Sequence, residues 1–141
     1  MRYFFDTSVL VAVALLRDER HSKSLAAFLR ADPNNGGCSA HSLAEIYATL
    51  TRLPGNQRMA GDQALLFLDE VRSRLQVTAL DPVEYYESIK SAVAEDILGG
   101  TIYDMLLAQC ALKVEAEIIY TWDARDFARL GKEIAKRVRT P

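Results

Sequence analysis

The sequence has little cysteine, and its two cysteines form no metal-binding motif. Cys38 and Cys110 lie far apart in a chain of 141 residues. Neither stands in a C-x-x-C pair or in a Cys/His cluster with zinc spacing. Because a free cysteine behaves as a small apolar residue, we expect both thiols to be buried structural groups.

Long hydrophobic runs are also missing. The longest early apolar segment, Val9 to Leu16, is too short for a transmembrane helix, which needs about 20 residues. The first residues, Met1 to Asp6, show no basic region followed by an apolar core and a small-residue cleavage site. The sequence therefore predicts a cytoplasmic protein with no membrane partner.

The chain contains no linker, internal repeat or low-complexity segment. A length of 141 residues with 50% hydrophobic residues is sufficient for one globular domain with a real core. We therefore expect a single domain over residues 1–141.

An overall excess of positive charge is absent too, since the formal net charge is −2. The charge is distributed unevenly, with nine acids against two bases in residues 81–123 and two acids against six bases in residues 124–141. The basic segment could contact phosphates, form a solvated surface, or dock on the acidic region of the same chain. Its bases are Arg125, Arg129, Lys132, Lys136, Arg137 and Arg139.

Short apolar runs alternate with segments of helical periodicity. Strands are predicted at residues 3–5, 38–40, 75–80, 117–120 and 137–139, and helices at 8–16, 22–31, 41–53, 60–74, 83–98 and 102–115, with a short helix before the last strand. Two helices carry apolar stripes, which are Leu43, Ile46, Tyr47 and Leu50 in one, and Leu65, Leu68, Val71 and Leu75 in the other. This alternation predicts an α/β fold with a mostly parallel sheet covered on both faces.

Four acidic residues stand after short apolar runs, at or near the start of helix-like segments: Asp6, Glu45, Asp104 and Asp123. In a parallel sheet such junctions share one edge, where ligands bind. Converging carboxylates repel one another unless a cation neutralises them, and a hard divalent ion with oxygen ligands is suited to this. Because such ions promote phosphoester hydrolysis, the pattern points to a metal-dependent nuclease.

Helix capping is the alternative explanation for each acid. Ser42-x-x-Glu45 and Thr101-x-x-Asp104 match the capping-box pattern, while Asp6 and Asp123 could be simple N-caps. However, Glu45 lies off the apolar stripe of its helix. Asp104 starts a largely apolar helix with no basic residue close in sequence, and burying an unpaired carboxylate is costly. A bound metal would remove that cost.

Four motifs together resemble a known family. They are Asp6-Thr7-Ser8, Ala44-Glu45-Ile46, Tyr103 to Ala108, and Thr121-Trp122-Asp123-Ala124-Arg125-Asp126-Phe127. Their order and spacing look like a PIN domain, and the small size is similar to the VapC toxins of toxin–antitoxin pairs. The resemblance covers essentially the whole chain, and it implies a three-layer sandwich with a central, mostly parallel sheet flanked by helices.

The resemblance also implies an activity and its residues. The expected protein is an endoribonuclease that depends on Mg²⁺ or Mn²⁺, with Asp6, Glu45, Asp104 and Asp123 as catalytic, metal-binding residues. Thr7, Ser8 and Thr121 would support them through hydroxyl hydrogen bonds. Asp126 is the other candidate for the fourth acid, and we favour Asp123 because it lies closer to the strand end. The implied partners are RNA, a VapB-type antitoxin and a second copy of the chain, and the basic residues Arg125, Arg129, Lys136, Arg137 and Arg139 are candidates for RNA contact.

Two other functions remain open at this stage. The strand followed by Asp-Thr-Ser could open an aspartate-based phosphatase, although that pattern needs a second Asp where this chain has Ser8. Alternatively, the domain could bind RNA or protein without cleavage. Trp122 and the pair Tyr85-Tyr86 could stack on bases or belong to the core. Leu15, Leu16, Arg17 and the Leu65 to Leu75 stripe could bind a partner helix or pack internally.

Overall fold

The computed structural model describes residues 1–141, which form five strands and eight helices. The strands are Tyr3–Phe5 (β1), Gly36–Ser39 (β2), Gln76–Thr78 (β3), Ile118–Tyr120 (β4) and Val138–Arg139 (β5). The helices are Thr7–Ala14 (α1), His21–Leu29 (α2), Ala40–Thr51 (α3), Gly61–Arg74 (α4), Pro82–Ala94 (α5), Ile102–Lys113 (α6), Ala124–Ala128 (α7) and Lys132–Ala135 (α8). Short 3-10 turns at Gly55–Gln57 and Gly99–Thr101 precede α4 and α6.

All five strands are parallel and follow the order β3-β2-β1-β4-β5. The central strand β1 pairs with β2 and β4, so Phe5 lies between Cys38 and Tyr120 in register. The expected parallel sheet is thus confirmed. Since the first residue after each strand leaves the sheet at the same edge, this register brings Asp6 level with the ends of β2 and β4.

The core has two halves, one on each face of the sheet. Successive strand residues point to opposite faces, so Phe5 packs with residues of α1 to α4 while Phe4 packs with residues of α5 to α8. Both rings are fully buried, and each such side chain contributes roughly 1.5–3 kcal/mol of hydrophobic stabilisation. The three-layer α/β sandwich is therefore confirmed.

One glycine is required where β2 enters the core. A Cβ added to Gly36 would come within 2.6 Å of the Ala31 Cβ and 2.9 Å of a Leu75 methyl carbon. Any side chain at this position would push β2 away from α2 and α4, and so displace the strand that leads to Glu45.

The two apolar stripes are buried only in part. Ile46, Leu50, Leu68 and Val71 are buried, but Tyr47 is 45% exposed and Leu65 is 55% exposed. Helical periodicity identifies the apolar face of a helix, but it does not show how much of that face the neighbouring elements cover. The core alternative is also wrong for Tyr85 and Tyr86, which lie exposed on α5.

The two thiols and the helix lengths agree with expectation. Cys38 and Cys110 are free and buried, as predicted. None of the helices combines the length and apolar character that crossing a bilayer requires.

Candidate active site

The predicted acids gather at the carboxyl edge of the sheet by different routes. Asp6 directly follows β1 and Asp123 lies three residues beyond β4, whereas Glu45 is on the second turn of α3 after β2. Asp104 is on the first turn of α6, which follows a 3-10 turn rather than a strand. Asp104 therefore reaches this edge because α6 packs on the sheet, and not because a strand ends there.

Asp6 is held by two hydroxyl groups. Its carboxylate is 4% exposed, and its Oδ2 accepts hydrogen bonds from Ser8 Oγ at 2.6 Å and Thr121 Oγ1 at 2.7 Å. The backbone N–H of Trp122 donates to Ser8 Oγ, and that of Asp123 donates to Thr121 Oγ1, both at 3.0 Å. Since each hydroxyl accepts from the backbone, its single proton is directed at Asp6.

Glu45 is held by a hydroxyl from a different helix. Thr7 Oγ1 lies 3.0 Å from both Glu45 Oε1 and Ser42 Oγ, so it links α1 to α3. Ser42 Oγ in turn lies 2.8 Å from Ser39 Oγ, and both serines are buried. Sequence reasoning identified Thr7 as a support, named Ser42 only as a capping-box residue and missed Ser39. The contact between Thr7 and Ser42 joins residues 35 positions apart, so it leaves no local signal.

The capping alternative does not describe these acids. Asp6 and Asp123 occupy N-cap positions of α1 and α7, but neither side chain accepts a cap hydrogen bond. Helix α3 is capped by Ser39, whose hydroxyl accepts the Ser42 N–H at 3.1 Å. Helix α6 has no side-chain cap. The carboxylates are thus free for another role.

Burial and mutual repulsion dominate the electrostatics. Burial is the main cause that raises the pKa of Asp104 to about 7, and the negative charges of Asp6, Asp123, Glu45 and Asp126 raise it further in that order. Burial also raises the pKa of Asp6, against the hydrogen bonds from its two hydroxyl partners. Five carboxylates therefore share one region, which we call the acidic pocket.

No basic side chain neutralises the acidic pocket. The six ion pairs of the protein all join other residues. A half-buried group of carboxylates without a counter-ion is unfavourable, and an all-oxygen donor set suits a hard divalent cation. As the side chains stand, no three His, Cys, Asp or Glu residues form a ready-made metal cluster. This is compatible with Mg²⁺, which keeps several waters and uses few direct carboxylates.

The two candidates for the fourth acid differ in their neighbours. The charge of Asp123 raises the pKa of both Asp6 and Asp104. The charge of Asp126 raises the pKa of Asp104 and is the smallest of the contributions there. Both residues are exposed at the rim, and the charge of Asp123 acts on more of the pocket acids than that of Asp126.

The predicted RNA-contacting bases fall into two groups. Arg137 donates to the carbonyls of Ala116 and Glu133, and Lys136 pairs with Glu133 at 2.7 Å. Arg139 donates to the carbonyls of Lys136 and Val138. Arg125 and Arg129 instead lie exposed on and after α7, the helix that follows Asp123.

The fold and the site define a class of proteins, namely parallel α/β sandwiches that present a pocket of carboxylates at the carboxyl edge of the sheet. A family model described as PIN domain matches residues 3–133. The chain belongs to the PIN domain family.

Similar proteins are found among characterised sequences and solved structures. Ribonuclease VapC40 of Mycobacterium tuberculosis is 32% identical over 133 residues, which are 92% of this chain and 94% of that protein. Ribonuclease VapC27 of the same species is 32% identical over 121 residues, covering 85% and 83%. The fold is similar to M. tuberculosis VapC20, described as a sarcin–ricin loop cleaving toxin, with a TM-score of 0.71, 18% identity and coverage of 88% and 92%. It is also similar to VapBC2 from Rickettsia felis bound to a promoter DNA fragment, with a TM-score of 0.69, 18% identity and coverage of 100% and 99%.

Proposed function

We propose that this protein is a metal-dependent endoribonuclease and the toxin component of a VapBC-type toxin–antitoxin system. The observation that carries the proposal is the acidic pocket, in which five carboxylates meet without a basic partner. Relatives that share 32% of their residues with it over most of the chain are named ribonucleases. We also propose that it acts in the cytoplasm.

The residues of the pocket divide into ligands and supports. Asp6 and Asp104 would bind Mg²⁺ or Mn²⁺ directly, and Glu45 and Asp123 would complete the site directly or through water. When bound, the ion supplies Lewis acidity that lowers the pKa of a water and neutralises charge on the scissile phosphate. Asp126 would add negative charge at the rim.

The hydroxyl groups orient the carboxylates before any substrate binds. Ser8 and Thr121 fix the Oδ2 atom of Asp6 and leave its other oxygen free of side-chain hydrogen bonds. Thr7 fixes Glu45 in the same way from α1. Such partners of metal ligands determine ligand orientation and affinity, so the pocket is organised for a cation by contacts within the chain.

Cleavage of RNA tests the activity. The purified protein and its Asp6→Asn variant are incubated with a mixed RNA pool in Mg²⁺, Mn²⁺ or EDTA, and the cut ends are mapped by sequencing. An exposed acid outside the pocket, changed in Asp69→Asn, is the matched control. We expect cleavage that requires the metal, survives in the control and is abolished in Asp6→Asn.

Three other outcomes would contradict the proposal. RNA that is bound but left intact would identify a binding module. Release of phosphate from small esters without RNA cleavage would identify a phosphatase. Cleavage that persists unchanged in Asp6→Asn would remove the acidic pocket from the mechanism.

An antitoxin helix would find a groove of mixed apolar and polar character beside α1. A groove of about 490 Å³ there is lined by Ala14, Leu15, Leu16, Arg17 and neighbouring polar residues, and Leu16 is 81% exposed. Amphipathic helices bind in such grooves through their apolar face. Co-purification with a VapB-type protein that is lost in Leu16→Glu would support this site, and retention of the complex would refute it.

We propose a homodimer as well. Helix α5 exposes an apolar stripe of Tyr86, Ile89 and Val93, at helical spacing. Burying this stripe against its copy would remove it from water. Light scattering should give twice the chain mass of 15.7 kDa, and Val93→Glu should give a monomer.

A further inference from the structure

A concave site adjoins the acidic pocket. It is a groove of about 370 Å³ between the ends of β2 and β3 and the helices α3, α5 and α6. Ala44 of its wall directly precedes Glu45, and Leu106 of its wall lies two residues after Asp104. The groove and the acidic pocket therefore share α3 and α6 as walls, and both lie at the carboxyl edge of the sheet.

The groove is uncharged but contains one unpaired polar atom. None of its lining residues is an Asp, Glu, Lys or Arg. Thr78, at the end of β3, is only 6% exposed, and its hydroxyl has no hydrogen-bond partner in the protein. Buried polar groups are normally satisfied, so this hydroxyl is available to a polar group that enters the groove.

Two aromatic side chains line the same groove, one from α3 and one from α5. The ring of His41, which lines the groove, is stacked on Tyr103 with centroids 5.5 Å apart and planes 12° apart. Tyr103 directly precedes Asp104, and His41 is one helical turn before Glu45. Tyr85 of α5 also lines the groove. A mostly apolar lining without acidic, lysine or arginine side chains, which includes two rings, suits a planar aromatic ligand rather than a phosphate.

We propose that this groove is a nucleobase subsite, which receives an unpaired base of the RNA strand whose scissile phosphate lies at the acidic pocket. The inference rests on the proposed nuclease function. The base stacks on the aromatic walls, and Thr78 Oγ1 hydrogen-bonds its polar edge. Because a paired base cannot enter a groove of this kind, the subsite selects single-stranded or looped RNA.

Binding measurements test the subsite separately from cleavage. Fluorescence anisotropy is measured in an Asp6→Asn background with Mg²⁺, using single-stranded RNA and copies of it that carry one abasic residue at each position. Tyr85→Ala is compared with Tyr47→Ala, because both tyrosines are 45% exposed and only Tyr85 lines the groove. Thr78→Val removes the unpaired hydroxyl, and Thr78→Ser retains it.

The proposal predicts a loss of RNA affinity that depends on the base at one position of the strand. Tyr85→Ala should weaken binding at least about 5-fold, the lower end of the effect of one base stack, while Tyr47→Ala has no effect. When the RNA carries an abasic residue at that position, the proteins with and without Tyr85 should bind it equally. Thr78→Val should change the base preference at that same position, and Thr78→Ser should restore it.

Each contrary result is distinct. Equal binding by Tyr85→Ala, or an equal loss on every abasic strand, would overturn the subsite. A change in oligomeric state of Tyr85→Ala by light scattering, with no base-dependent loss of affinity, would assign the groove to a subunit contact instead.

The nuclease and the subsite can fail separately. If the unmodified protein cuts RNA while none of these variants changes RNA binding, the nuclease stands and the subsite fails. If it binds RNA in this base-dependent way without cutting, the subsite stands and the nuclease fails.

Discussion

Carboxylates occur in two contrasting settings in this protein. Glu84 and Glu133 are on the surface, where Lys113 and Lys136 each approach them to 2.7 Å. The pKa of Glu84 is lowered first by the Asp81 backbone N–H and then by Lys113, and the pKa of Glu133 is lowered by Lys136. In the acidic pocket the shift has the opposite sign, since burial and neighbouring acids raise the pKa of Asp104 to about 7.

The difference shows where the chain supplies a counter-charge and where it does not. These two surface acids are neutralised by lysines of the same chain, at little cost because water solvates both partners. The pocket acids are placed close together, partly removed from water and left without a basic partner. Such an arrangement lowers stability unless an external cation binds, and perturbed carboxylates of this kind are characteristic of functional sites.

Removing the charge of one acid in the acidic pocket should have the largest effect on RNA cleavage. We expect Asp104→Asn to reduce RNA cleavage by on the order of 100-fold or more, the loss typical when a group that stabilises transition-state charge is removed. The matched surface change, Glu84→Gln, should leave cleavage unchanged and lower the thermal midpoint slightly through loss of the Lys113 contact. If both variants changed the cleavage rate equally, the acidic pocket would not differ in function from the lysine-paired surface acids.

Removing a supporting hydroxyl should have an intermediate effect. Thr121→Val keeps the shape of the side chain but removes the hydrogen bonds to Asp6 and from the Asp123 N–H. We expect metal affinity or cleavage to fall about 10- to 100-fold, as for other partners of metal ligands. Thr51→Val is the control, because the Thr51 hydroxyl bonds only the Tyr47 carbonyl of its own helix. The cleavage rate at several Mg²⁺ concentrations separates the two variants.

The exposed bases should have a smaller effect than the acids. Arg129→Ala should weaken RNA binding a few-fold and make the salt dependence of affinity less steep, because each phosphate contact releases counterions. Lys136→Ala should change neither quantity, since Lys136 is paired with Glu133. Binding isotherms at three salt concentrations measure both. A larger loss in Lys136→Ala would show that the terminal bases, not α7, bind the phosphates.

The smallest effect should be the change with pH in the free energy of unfolding, measured in metal-free buffer. Its sign follows from the pKa of Asp104 in the folded and unfolded states. The folded-state pKa of Asp104, about 7, lies above its ordinary value of 3.8. Between these values the folded protein binds more protons than the unfolded chain, so the free energy of unfolding falls as pH rises through this window. Urea unfolding at pH 5 and pH 8 should show a smaller decrease for Asp104→Asn than for the unmodified protein. An identical decrease would mean that Asp104 ionises normally.

Much of the architecture was predictable because it rests on local signals. Apolar or alternating runs predicted β1, β3 and β4, and alternation with helices predicted the parallel sheet. The second strand was predicted at 38–40, but β2 begins at Gly36, within the stretch that the turn residues marked as a loop. The acids that follow strands, Asp6 and Asp123, were predictable from the same rule. The same rule was applied to Asp104 and is wrong for it, since Asp104 follows a 3-10 turn and its position depends on how α6 packs.

The remaining features depend on contacts between distant residues. The link from Thr7 to Ser42, the unpaired hydroxyl of Thr78 and the stacking of His41 on Tyr103 join separate elements. The sequence placed Leu65 and Tyr47 in apolar stripes, but both are exposed because their helices pack through Ala64, Leu68, Ile46 and Leu50 instead. Periodicity describes one helix at a time and cannot specify its neighbours.

A metal titration of thermal stability tests the central claim most directly. Without RNA, Mg²⁺ or Mn²⁺ should raise the thermal midpoint of the unmodified protein by several degrees, because a ligand that binds only the folded state stabilises it. The same titration should have little effect on Asp6→Asn, while Glu84→Gln should respond like the unmodified protein. An absent rise in the unmodified protein, or an equal rise in Asp6→Asn, would contradict the account of the acidic pocket as a cation site.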